Sequence, residues 1–205
     1  MAAVGKKVIG WNSWADGEPL PAGAVLQNYG QEDTELNLAA NVKTALDNGN
    51  QVLMSPSDHT YLDIKYDAST PYGLTWIQGR YLDLARAYRW EPNTVTPDPS
   101  GHGRLEVPDG RIFGVELALW ADATNQNGTT TRWSDGKPFD PVSSYMDTML
   151  FPRLPAVAEV AWSAKADRRG DPQVFLDFQN RVIAQSKSWT AAGVGWFHAP
   201  DVPWR

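Results

Sequence analysis

The sequence predicts an α/β fold built on a parallel sheet of four strands. Two observations carry that expectation. Segments of strand character alternate with segments of helical spacing, in the order strand, strand, helix, strand, helix, strand, helix, helix. The strand segments are apolar through their length, so both faces of the sheet should be covered. The 205 residues are enough for one domain with a sizeable core.

The elements follow in order. Val8-Ile9-Gly10-Trp11 is short and apolar and reads as a buried strand ending at Trp11. Residues 12–23 hold two Pro and two Gly and read as a loop. Ala24-Val-Leu-Gln-Asn-Tyr29 is the second strand. Leu36, Leu38, Ala39, Val42, Ala45 and Leu46 fall at helical spacing over 32–48, and Asn48-Gly49 is the stop. Gln51-Val-Leu-Met-Ser55 is the third strand, cut by Pro56. Residues 57–71 read as a polar, aromatic loop that includes His59, and 75–90 as a helix ended by Glu91-Pro92. The Pro- and Gly-rich stretch 93–110 is a long connection. Arg111 to Asp122 is the fourth strand, apolar for most of its length, and a second long loop covers 123–142. A helix over 143–163 should break at Phe151-Pro-Arg-Leu-Pro155. Asp171-Pro172 caps and starts a last helix, ending near Ala192-Gly193. Val194 to Phe197 would add a short edge strand.

Composition excludes several functions. A net charge of −6 offers nothing to nucleic acid or an acidic membrane surface. Without cysteine there is no disulfide frame and no thiolate metal site, and three scattered histidines show no zinc spacing. No apolar run approaches the ~20 residues of a membrane-spanning helix. The excess is in aromatic residues, with ten Trp and seven Tyr. Flat rings cover the C–H faces of sugars, so this excess suits a carbohydrate cleft as well as a core.

The fourth strand brings the matter to particular residues. Trp120 and Asp122 lie two apart, so period-two alternation puts them on one side, and in parallel α/β proteins chemistry gathers at the carboxyl ends of strands. An indole beside a carboxylate there suits a sugar. A core Trp and a helix-capping Asp is the plainer reading of these residues by themselves. Glu116, on the same side as Trp120, reads as half of a buried ion pair.

Five stretches together resemble a known family. Gly5-Lys-Lys-Val-Ile-Gly-Trp11, Val25-Leu-Gln-Asn-Tyr29, 55–63 with Tyr61-Leu-Asp63, 114–122, and Phe151-Pro-Arg-Leu-Pro-Ala-Val-Ala-Glu-Val-Ala-Trp-Ser163 are similar to the C-terminal half of the catalytic barrel of glycoside hydrolase family 20, the β-N-acetylhexosaminidases. The last stretch is the most specific. The resemblance implies that residues 1–205 are a single C-terminal half of such a barrel, with the four strands as strands five to eight of a TIM-type (β/α)8 barrel. A closed barrel typically needs ~250 residues, and 1–7 read as the tail of a helix-to-strand connection. The chain is therefore expected to begin inside a domain. Its start lacks the apolar core of a signal peptide, and the expected setting is a longer secreted or cell-surface protein.

The resemblance also implies a mechanism. Enzymes of this family hydrolyse terminal β-linked N-acetylhexosamine with retention and use the substrate's own 2-acetamido oxygen as nucleophile, an exception to the two-carboxylate scheme. An adjacent Asp-Glu pair orients that group and supplies the acid–base. This sequence contains no Asp-Glu dipeptide. By position, Tyr61 matches the phenol that donates to the acetamido oxygen. Trp11, Tyr29 and Trp120 match the aromatic residues around the acetamido methyl. Asp63 and Asp122 match carboxylates that accept from hydroxyls, and Trp76 matches an aromatic at the pocket rim. Tyr29 stands where Trp is usual, and Asp122 where Glu is usual. The smaller pair leaves room for the disaccharide product of a lacto-N-biosidase. A non-catalytic carbohydrate-binding or structural remnant is the other alternative. No cofactor or metal is implied. The expected partners are an N-acetylhexosamine-containing glycan and either the missing N-terminal half barrel or a second copy in a homodimer. Arg153 and Glu159 are expected to be structural, pairing with loops from an outer helix.

Overall fold

The computed structural model describes residues 4–12, 20–31, 37–70, 73–75, 80–95, 104–120 and 143–204. The chain forms two compact units. One is Met1–Thr60 with Glu91–Glu116, the other Tyr61–Trp90 with Leu117–Arg205.

Along the first unit lie β1 (Ile9–Trp11), β2 (Val25–Gly30), α1 (Asn37–Asp47), β3 (Gln51–Pro56), α2 (Ser57–Thr60), β4 (Thr94–Val95), β5 (Leu105–Glu106) and β6 (Ile112–Val115). The main sheet runs β1-β2-β3-β6, and every pair is parallel, as the alternation predicts. Val25, Leu26, Val52 and Met54 are fully buried, so β2 and β3 are the doubly covered strands the apolar pattern calls for. Leu38, Val42 and Ala45 supply the buried side of α1. That helix stops where expected. Asn50 N–H donates to Ala45 O and Gly49 N–H to Leu46 O, with Gly49 at φ 79°, the paired bonds of a Schellman turn.

Three expectations need correction in this unit. The fourth strand is short, ending at Val115, and is not covered on both faces: Phe113 is 45% exposed. It lies at the edge of the sheet, and its register on β3 shifts between Val52 and Leu53. The stretch after Pro56 is not all loop, since Ser57–Thr60 makes one helical turn and buries His59. Thr60 Oγ1 donates to Pro56 O within that turn. The connection over 93–110 carries the small antiparallel pair β4-β5 and a 3-10 turn at Asp109–Arg111. Arg111 then ties the start of β6 to the end of α1 through the carbonyls of Leu46 and Asn50.

The second unit holds α3 (Leu84–Tyr88), α4 (Ser143–Leu150), α5 (Arg153–Trp162) and α6 (Pro172–Ala191). The predicted break lies between α4 and α5, at a cis Phe151–Pro152 bond. Asp171 caps α6 by accepting from Gln173 N–H, with Pro172 in the first turn. Tyr88 stacks on Phe178 at 4.2 Å, and its hydroxyl donates to Glu159, which also takes both donors of Arg181. Glu159 thus pairs with two other helices, α3 and α6, and not with the loops expected for it.

The predicted helix over 75–90 is mostly absent among the described residues. Residues 80–83 are extended chain, and helix begins only at Leu84, where Asp83 caps it by accepting from Arg86 N–H. An N-cap Asp inside an apolar run starts the helix later than periodicity could show. The expected edge strand at 194–197 is not one. That segment packs through its rings, with Trp196 stacked on His198 at 3.9 Å, and Phe197 N–H donates to Phe151 O.

A pH dependence follows from Asp201. Its Oδ2 accepts from Ala85 N–H at 2.8 Å, while burial pushes its carboxyl above the ordinary Asp value. A raised folded pKa means stability that is present at low pH and lost as pH rises from the usual carboxylate range through the raised value. Asp201→Asn removes the titration and keeps an acceptor. Its Tm relative to the parent is expected to climb by roughly 2 °C between pH 3 and pH 7. Thermal melts across that range check it, and parallel curves for the two proteins would refute it.

Candidate functional site

Each unit carries a pair of aromatic rings. In the first, Trp11 ends β1 and Tyr29 stands near the end of β2, their rings 5.1 Å apart and nearly perpendicular at 89°. Both are half-buried, with surface left to offer. An edge-to-face pair suits the ring quadrupoles. Asn12 sets the position of Tyr29. Its Oδ1 accepts from Tyr29 N–H at 2.9 Å and its Nδ2 donates to Tyr29 O at 3.2 Å. Sequence reading gave Asn12 no role. A polar residue immediately after a strand end was the available signal.

The second unit holds Tyr61, Asp63 and Trp120. Tyr61 makes an isolated parallel bridge to Ala118, and Leu62 N–H donates to Ala118 O at 2.7 Å, so the two segments run side by side. This puts the Tyr61 and Trp120 rings 6.1 Å apart at 64°. Tyr61 is buried, whereas Trp120 is 42% exposed. Trp120 is thus no core residue. Tyr145 holds its backbone by donating to Trp120 O, and Leu119 packs against Tyr145 and Met149.

Asp63 is fully buried. Its backbone carbonyl accepts from Leu74 N–H at 2.7 Å. Gly73 makes that approach feasible. Its φ is 102°, and a Cβ there would lie 2.7 Å from Asp63 O and 2.6 Å from Met149 Cε. Trp76 and Asp122, the other two predicted contacts, lie outside the described residues.

Glu116 departs from its expected role. It follows β6, is exposed, and accepts from Gln27 Nε2 at 2.5 Å; Gln27 also donates to Ser55 Oγ at 3.1 Å. Among the described residues its donor is an amide and not a cation. The edge position of β6 leaves the carboxylate in solvent, where it needs no ion pair. Among the described residues no group of three or more His, Cys, Asp and Glu is placed to hold a metal, and no helix is long and apolar enough to cross a membrane.

A parallel sheet with helical connections, carrying the Trp11–Tyr29 pair at its strand ends, defines an α/β protein of the class whose ligands meet the carboxyl ends of strands. The chain belongs to glycosyl hydrolase family 20: the model of that family's catalytic domain matches residues 1–165. It is 38% identical over 200 residues to the β-N-acetylhexosaminidase of Cellulomonas fimi, covering 98% of this chain and 33% of that protein. The solved family 20 β-N-acetylhexosaminidase of Streptomyces coelicolor A3(2) superposes with a TM-score of 0.75 at 34% identity, over 100% of this chain and 35% of that one. A mutant Streptomyces plicatus β-hexosaminidase in complex with its product GlcNAc gives 0.73 at 35% identity, over 100% and 34%. The fold is accordingly that of a TIM-barrel family of glycoside hydrolases, and this chain spans about a third of the length of these relatives.

Proposed function

We propose that this chain supplies the sugar-contacting strands five to eight of a β-N-acetylhexosaminidase barrel. The supporting observation is the near full-length match of the chain to one third of a β-N-acetylhexosaminidase. In this reading Tyr61 donates to the acetamido oxygen and holds it in line for attack on the anomeric carbon. Asp63 and Asp122 accept from sugar hydroxyls. Trp11, Tyr29 and Trp120 offer ring surface to the acetamido group, and Trp76 to the rim. Cleavage is substrate-assisted, and the acid–base Glu with its Asp neighbour comes from outside these 205 residues, which contain no Asp-Glu dipeptide.

The partner is the rest of the barrel, or a second copy of this chain. Ile9 on β1 and Phe113 on β6 stand 45% exposed at the two edge strands, and Trp162 at the end of α5 is 94% exposed. Apolar surface and open edges of this kind call for a cover. A second reading, disaccharide release of the lacto-N-biosidase type, is favoured by Tyr29 and Asp122, each smaller than the residue usual there.

The chain by itself is expected to bind N-acetylglucosamine, with the acetyl methyl in closest contact, and to leave an aryl N-acetylglucosaminide uncleaved. Saturation-transfer NMR and a chromogenic assay read the two results. Loss of a general acid typically removes ~10²–10⁴-fold in rate. Turnover at the pace of a complete enzyme, or no contact with N-acetylglucosamine, would count against the proposal.

A further inference from the structure

The segment that carries Tyr61 and Asp63 belongs to no helix or ladder of any length; it is a turn with two isolated bridges. Backbone of this kind is the most easily deformed part of a structure. Its rigidity has one conspicuous source. Arg153, the first residue of α5, is fully buried. Its Nη2 donates to Leu62 O at 2.6 Å and to Met149 O at 2.8 Å. Its Nη1 donates to Ile64 O at 2.6 Å and Leu82 O at 2.9 Å, and its Nε reaches Met149 O at 3.3 Å. The guanidinium also lies 3.7 Å over the Tyr66 ring. Every N–H of the fork is engaged, and the acceptors come from three separate stretches of chain.

Two of those acceptors flank Asp63 on either side. The geometry points to Arg153 as a positioning residue that fixes the Tyr61–Asp63 turn for glycan contact by clasping the Leu62 and Ile64 carbonyls to the start of α5. This inference rests on the reading that the turn contacts the glycan. It deepens that reading by naming what sets the donor and acceptor in place.

Burying a cation is expensive, and here it is compensated by carbonyl dipoles and a π face. Burial lowers the guanidinium's affinity for its proton, while Tyr66 and Asp63 act to restore it. A residue kept only for packing would not need this charge, since an apolar side chain fills the same volume at lower cost. An apolar side chain would, however, leave the flanking carbonyls without donors. Lysine carries a single nitrogen with three donors and cannot span the same set.

The test uses Arg153→Lys and Arg153→Met in the full chain. Amide hydrogen exchange is read at Leu62, Leu74 and Leu82, whose N–H groups bond Ala118 O, Asp63 O and Lys65 O, with the amides of α6 as internal control. The expected result for Arg153→Lys is about tenfold or greater loss of protection at the three turn amides, none in α6, and a comparable weakening of N-acetylglucosamine binding. Arg153→Met should go further in the same direction. If Arg153→Met fails to fold, Arg153→Lys decides. Unchanged protection at the turn overturns the inference, and so does an equal loss in α6, which would make Arg153 a general stabiliser. The exchange result is independent of sugar. Intact exchange effects with no N-acetylglucosamine binding by the parent chain would leave the clasp standing and defeat the glycan reading instead.

Discussion

Tyr61→Phe, introduced into an enzyme assembled from this chain and the rest of its barrel, is expected to lower kcat about 10²-fold with little change in KM. The substitution removes one hydroxyl and keeps the ring. The ring is the part that packs: Tyr61 is buried and meets Trp120 edge-on. Its core contribution therefore survives, and the loss isolates what the hydroxyl does. A phenol that holds the acetamido oxygen in line for ring closure acts most strongly in the transition state, which is why kcat should carry the effect. Steady-state kinetics on an aryl N-acetylglucosaminide measure it. An intact kcat with a raised KM would make Tyr61 a binding residue only. An unchanged kcat and KM would remove it from the site.

Asp63→Asn should act in two ways at once. Its contacts with hydroxyls exist in ground and transition states alike, so KM should rise as kcat falls. It should also cost stability. Asp63 is fully buried and its charge supports that of the buried Arg153. Replacing it by the isosteric amide leaves no cavity but removes a carboxylate that, beside Tyr66 and Tyr145, favours the charged guanidinium. A loss of roughly 1–3 kcal/mol is expected, the scale of a charge pair at an effective dielectric of about 20. In a chain of this size that corresponds to a Tm lower by roughly 3–10 °C. Thermal melts of the chain and kinetics of the assembled enzyme test the two effects separately. An unchanged Tm would mean that carbonyls suffice for Arg153, and an unchanged KM that Asp63 does not meet the sugar.

Much of the fold could be read from the residues because the signals were local. Apolar runs gave β1 to β3, Gly49 gave the end of α1, and Asp171-Pro172 gave the start of α6. The failures share a cause. Arg111 to Asp122 looks buried on both faces only if neighbours cover it, and edge position is a property of the assembled sheet. Among the described residues the helix expected over 75–90 runs only from Leu84, after a cap at Asp83 that the apolar spacing masks. For the site, residue types were legible and supports were not. Tyr61, Asp63 and Trp120 could be singled out from their chemistry. Asn12 and Tyr145 bond main-chain groups of other segments and Gly73 acts by the room it leaves, so no partner residue type marks them. Arg153 was visible as part of a motif, but three of its four acceptors are main-chain carbonyls some seventy to ninety positions away.

The two units are interleaved along the chain, which passes from one to the other after Thr60, Trp90 and Glu116. Neither is a contiguous stretch of gene. A unit cannot be excised by one cut, exchanged as a cassette, or completed during synthesis before the chain has left it and returned. Closing the first unit joins Val52 to Ile112, so its sheet waits on fifty-nine intervening residues that include a large piece of the second. Modular shuffling, a common route to new specificity in repeat and multidomain proteins, is closed to this arrangement. Variation must instead be local, confined to loops and strand ends.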